Sequence, residues 1–173
     1  MFALGLRTAL LAAVFSLVGG AQARAQGAPA RDWGPGLRGG EPLGFEDKKF
    51  FTSNHAVATG FGHSSRKYLV LHLAYLFHDD RLLPLAKATD YRLVPYLGLG
   101  FSFHFSLKQD PNVPKKLNEP GARFGWALRV PVGLEWYPWG GALGLAAEVS
   151  PGFGLKPSGF GLLQGALIAR YYY

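Results

Sequence analysis

The chain has 173 residues, room for one domain, and carries 18 Lys and Arg against 11 Asp and Glu, a formal charge of +7. It contains no cysteine, which excludes disulfides, thiolate metal sites and a lipid-modified N-terminal Cys. The basic balance raises nucleic acid as a partner, but no clustered basic motif accompanies it and the chain carries an export signal, so nucleic acid is set aside.

Residues 1–25 have the layout of a secretory signal peptide. Arg7 is the positive flank, Ala9–Val18 (ALLAAVFSLV) the apolar centre, and Ala21-Gln22-Ala23 and Ala23-Arg24-Ala25 both offer a small-x-small cleavage site, with cleavage after Ala25 preferred. The apolar run is far shorter than the roughly 20 residues a spanning helix needs. The longest nearly apolar run elsewhere, Tyr68–Phe77, is ten residues interrupted by His72. Losing Arg7 and Arg24 with the signal leaves 16 basic and 11 acidic residues, or +5, a balance suited to anionic lipid headgroups.

Residues 26–44, rich in Gly and Pro, form either a leader or a first strand at Arg31–Arg38 with Trp33, Pro35 and Leu37 outward. Phe45–Thr52 is a second strand whose facing the pattern leaves open, and Ser53-Asn54 a turn. His55–His63 alternates Val57, Thr59 and Phe61 against Ala56, Ala58, Gly60 and Gly62. Lys67–His78 sets Leu69, Leu71, Leu73, Tyr75 and Phe77 on one face and Tyr68, His72, Ala74 and His78 on the other. A connector, Asp79–Tyr91, leads to the strand Arg92–Phe105, with Leu93, Leu97, Leu99, Phe101, Phe103 and Phe105 outward. Ser106–Ala122 is the longest polar loop. Arg123–Tyr137 then alternates over fifteen residues: Phe124, Trp126, Leu128, Val130, Val132, Leu134 and Trp136 against a small or charged face. Pro131 lies in mid-strand, where a bulge is expected. After a turn at Pro138–Gly141 come the strands Ala142–Leu155 and Phe160–Tyr173.

Eight such strands predict an all-β, eight-stranded antiparallel up-and-down barrel, since a membrane chain without helices can satisfy its backbone only by closure. Odd strands rise and even strands descend. This parity gathers Tyr75, Phe77, Trp136, Trp139, Tyr171 and Tyr173 at one end, and Phe61, Phe101, Phe103, Phe105, Phe124, Trp126 and Phe153 at the other. Two aromatic girdles around an apolar band are expected of a transmembrane barrel in the bacterial outer membrane.

Three runs carry a family likeness: Arg129-Val130-Pro131-Val132-Gly133-Leu134-Glu135-Trp136, then Glu148-Val149-Ser150-Pro151, then Arg170-Tyr171-Tyr172-Tyr173. They resemble the small outer-membrane β-barrel proteins, the class of the OmpA transmembrane domain and OmpX, in an uncharacterised branch. The resemblance implies that Leu167, Tyr171 and Tyr173 form the C-terminal signal read by the barrel-assembly machinery. It brings no catalytic residues.

The inward charges are the first candidate site. Arg123, Arg129, Glu135, Glu148 and Arg170, with Gln164, sit on three consecutive strands. Burial requires such charges to be paired, so an Arg129–Glu148–Arg170 network plugging the lumen is expected. An eight-stranded interior is only wide enough for side chains, which disfavours a diffusion pore. His72, His78 and His104 lie at different heights and do not converge, so no metal and no cofactor is expected. Ser102 and His104 share a face, as a lipid A hydrolase or acyltransferase would need, but no carboxylate is placed to orient the histidine. Arg66, Lys67, Lys108, Lys115 and Lys116 form a basic outer rim that either binds lipopolysaccharide phosphates or is simply solvated. The expected protein is a monomeric, non-catalytic barrel with outer-membrane lipid as its surroundings; the alternative is an outer-leaflet lipid-modifying enzyme.

Overall fold

The computed structural model describes residues 32–65, 68–79, 92–106, 124–138, 141–156 and 161–173. The expected signal segment, most of the two long connectors, the expected basic rim residues Arg66, Lys67, Lys108, Lys115 and Lys116, and also Arg123 and Trp139, lie outside these residues.

Alternating sequence becomes strand throughout. The elements are β1 (Trp33–Gly40), β2 (Leu43–Phe50), β3 (His55–His63), β4 (Tyr68–His78), β5 (Arg92–Ser106), β6 (Phe124–Arg129), β7 (Val132–Tyr137), β8 (Leu143–Lys156) and β9 (Gly161–Tyr171). Each pairs antiparallel with its neighbours, and β6 and β7 are two halves of one strand between β5 and β8. β1 pairs with β9, so the Gly-rich start of the chain is a strand that closes a ring of eight.

The ring is staggered. The partners Pro35, Asp47, Thr59, Leu73, Phe101, Leu128, Phe153 and Gly161 follow one another round it. The circuit returns to β9 at Gly161, whereas continuing the pairing Gly36↔Arg170 by one step sets Pro35 level with Tyr171, ten residues away. With a 3.3 Å rise and 4.8 Å strand spacing, that offset over eight strands tilts them by about 40°. The end bearing Trp33 and Tyr173 is called the near end here, the other the far end.

The break between β6 and β7 falls at Val130-Pro131, yet it is not the expected bulge. Pairing to β5 and to β8 keeps one register across it. The Pro131 carbonyl accepts from Gly98 N at 2.8 Å, so only the bond that the missing Pro131 N–H would make is lost. Gly98 makes this possible: a Cβ there would come 2.9 Å from Pro131 Cγ. The register shift lies instead at Trp126/Ala127 against β8.

The outward face is apolar. Leu69, Leu71, Leu73, Tyr75 and Phe77 of β4, Leu97, Leu99 and Phe101 of β5, and Leu163, Leu167 and Tyr171 of β9 are all exposed. Aromatic rings mass at both ends. Trp33 lies on Tyr173 and His55 on Phe77, each pair with centroids 5.2 Å apart, while at the far end Phe124 stacks on Phe103 and meets Phe105. Phe101, opposite Leu73 and Leu128, sits nearer the middle. On β2 the outward set is Leu43, Phe45, Asp47 and Lys49, so two charges interrupt the apolar wall.

Candidate functional site: an ion chain through the lumen

The inward face is largely small or polar, with Val70, Leu76, Leu162 and Ile168 among its apolar exceptions, and its charges come together. Buried inside are Arg38 (β1), Glu46 and Lys48 (β2), Arg129 (β6), Glu135 (β7), Glu148 (β8) and Arg170 (β9). They form one alternating chain along the barrel. Starting from the near end, Lys48 pairs with Glu135, and Glu135 Oε1 accepts from Arg170 Nη1 at 2.9 Å. Arg170 Nη2 pairs with Glu46, whose Oε2 accepts from Arg38 Nη1 at 2.5 Å. Arg38 Nη2 reaches Glu148 Oε1 at 2.9 Å, and Arg129 Nη2 donates to that same oxygen at 2.6 Å.

Neutral groups fill the remaining sites. Tyr96 OH donates to Glu148 Oε2 at 3.0 Å, Tyr172 OH to Glu135 Oε1 at 2.8 Å, and Arg129 Nε to Ser150 Oγ at 3.0 Å. Tyr96 can lie across the lumen because its partner on β7 is Gly133, where a Cβ would strike the phenol ring. His72 Nε2 lies 3.2 Å from Glu46 Oε2, and Lys48 Nζ donates to His78 Nε2 at 3.1 Å. Below the chain, Phe50, Val94, Tyr137 and Tyr172 form an apolar floor at the near end. Alternation is what makes the burial tolerable: each interior charge touches one or two of opposite sign, and a charge taken from water without such partners is very costly.

Of the expected luminal residues, Arg129, Glu135, Glu148, Gln164 and Arg170 are all buried inside; Arg123 lies outside the described residues. The expected Arg129–Glu148–Arg170 triad is corrected. Arg129 does bind Glu148, but Arg170 binds Glu135 and Glu46 instead. The register premise also fails. A two-residue turn would set Arg129 opposite Glu148, whereas Gly133 is opposite Glu148 and Arg129 is opposite Gly152, so the pair meets diagonally. Arg38, Glu46 and Lys48 were missed, although Trp33, Pro35 and Leu37 outward already imply Arg38 inward.

The girdle residues Phe61, Tyr75, Phe77, Phe101, Phe124 and Phe153 are exposed and Phe103, Phe105, Trp126 and Trp136 half-buried, all on the outer face; Trp139 lies outside the described residues. Leu167, Tyr171 and Tyr173 point outward at 71%, 56% and 53% exposure, accessible to anything that reads the C-terminus. Ser102 Oγ lies 2.9 Å from His104 Nε2, and both side chains are fully buried. Among the described residues no group of three or more His, Asp or Glu side chains is placed to hold a metal ion. Comparison with protein-family models, curated proteins and solved structures finds no match to the chain.

Proposed function

We propose that this chain is an integral outer-membrane β-barrel of the OmpA and OmpX type, exported by its signal segment, monomeric, and non-catalytic, with a structural or surface-interaction role. One observation carries the reading: the closed ring turns its apolar residues outward and its ion pairs inward. A soluble barrel would bury the apolar set, and an exposed apolar surface of this extent marks contact with lipid or protein. Aromatic rings at both ends and a strand tilt of about 40° belong to the same architecture. The interior supplies the role. Filled by an ion chain, it serves to hold the wall rigid while the outer loops meet lipid or partners.

The test is fractionation with gel mobility. The protein is expected in the outer-membrane fraction, with unboiled and boiled samples in SDS running differently because the barrel survives detergent until heated. Recovery from the soluble periplasm, with no mobility shift, would overturn the reading.

A second reading, an outer-leaflet lipid-modifying enzyme, has the Ser102–His104 contact in its favour. Both groups face the lumen at 0% exposure, which leaves a lipid no route to the hydroxyl. Unaltered lipid A by mass analysis in overproducing cells is the expected result; a changed acyl pattern that reverts with Ser102→Ala would establish the enzyme.

A further inference from the structure

The ion chain is one anion short. Leaving aside the histidines and Glu41, a half-buried carboxylate beside the far end that accepts from Ser65, the chain holds four cations, Arg38, Lys48, Arg129 and Arg170, against three carboxylates, Glu46, Glu135 and Glu148. An alternating chain with that count must end in a cation at both ends. The two ends are finished differently.

At the near end Lys48 is absorbed by its surroundings. Beyond Glu135 it donates to His78, and its ammonium lies 4.9 Å from the Phe50 ring centroid and 5.2 Å from that of Tyr96. At the far end Arg129 is not. Its Nη2 and Nε are used on Glu148 and Ser150, but its Nη1 is buried without a hydrogen-bond partner. Arg38 and Arg170 each leave only Nε unpartnered, with both Nη atoms on carboxylates. A second orphan donor lies on the next strand, across from the serine that Arg129 binds. Gln164 on β9 is the cross-strand partner of Ser150, the same serine that Arg129 Nε binds, and its Nε2 is buried without a partner. Both residues are 2% exposed.

Two buried donors, one cationic, flank one serine at the end of a chain that lacks a negative charge. We propose that the lumen binds one small inorganic anion, of the size of chloride, between Arg129 Nη1 and Gln164 Nε2. A guanidinium N–H and an amide N–H are the donors such an ion takes, and its charge balances the seven-member chain of linked ions. It acts as a structural ion that completes the alternation, distinct from the lipid phosphates that are one of two readings of the outer rim.

Gln164→Glu provides the test, because it builds the missing charge into the chain itself. The full barrel, folded in a non-ionic detergent, is titrated with chloride and followed by ³⁵Cl NMR line broadening. Its unfolding in SDS is timed in chloride and in gluconate, an anion too bulky for the site. Wild type is expected to broaden the chloride line beyond the Gln164→Glu variant. It should also unfold about tenfold more slowly in chloride at ten times the dissociation constant than in gluconate, while Gln164→Glu unfolds at one rate in both. Equal broadening, or equal anion dependence in the two proteins, overturns the site. If Gln164→Glu does not fold, Gln164→Leu decides: a drop in chloride broadening supports the site, and unchanged broadening overturns it.

Discussion

At the scale of single residues, Glu148 carries the most. It accepts from Arg38, Arg129 and Tyr96 at 2.9, 2.6 and 3.0 Å, so its charge holds two guanidinium groups, and for Arg129 it is the one paired carboxylate among the described residues. Replacing it with Gln keeps the shape and removes the charge, which leaves two buried cations undercompensated. Breaking a buried pair costs about 3–5 kcal/mol, and Glu148→Gln should lower the unfolding midpoint in urea accordingly. Tyr96→Phe removes only a neutral donor and should cost about 1 kcal/mol. An unchanged midpoint for Glu148→Gln would mean that the chain contributes nothing to holding the barrel closed. The residue scale is also where sequence reading stops short on β2. In Phe45–Thr52 charges occur at both parities, and Glu46 and Lys48 point in while Asp47 and Lys49 point out. Polarity normally tells inside from outside, but a lumen built of ion pairs accepts charge as readily as the rim does.

At the scale of elements, the facing of β3, β4 and β5 is legible because large apolar residues fill most outward positions and small or polar ones most inward positions, whereas on β9 Leu162 and Ile168 also point in and only Gln164 and Arg170 mark the inward face. The partners in the lumen are less so. The Arg129–Glu148 contact lies between neighbouring strands, but Lys48–Glu135, Arg170–Glu46 and Arg38–Glu148 depend on the ten-residue stagger, which no local pattern encodes. Pro131 shows the same limit. A proline in mid-strand predicts a bulge, while a glycine on the neighbouring strand removes the need for one. The pairing of Gly98 with Pro131 can be tested by substitution. A Cβ at Gly98 would stand within 3 Å of Leu76, the Tyr75 carbonyl and the Pro131 ring. Overpacking of this kind costs about 1–3 kcal/mol, so Gly98→Ala should unfold at lower denaturant. Adding Pro131→Ala should return part of the loss. A strictly additive double mutant would show that the two positions do not accommodate each other.

At the scale of the whole molecule, the described lumen is occupied along its length, from the Phe50, Tyr137 and Tyr172 floor through seven interlocked charges to Ser102 and His104. An eight-stranded interior is only wide enough for side chains to fill. Purified protein added to planar bilayers should therefore give no steady channel events above the detergent control, and discrete conductance steps would contradict the plug. The distribution of the charges along the chain has a further consequence. Six links join the seven groups, and three of them, Lys48–Glu135, Arg170–Glu46 and Arg38–Glu148, connect the first hairpin to the strands from β7 onward. The middle of the barrel, β3 to β5, supplies none of these ions. An unclosed sheet thus holds Lys48 with no carboxylate and Arg38 and Arg170 with one each. β1 and β9, the first and last described strands, must meet before the interior is electrically settled. Closure is in this sense self-checking: the register that seals β1 against β9 is also the one that matches the charges inside, and a shifted seam would bury them unmatched at a high cost.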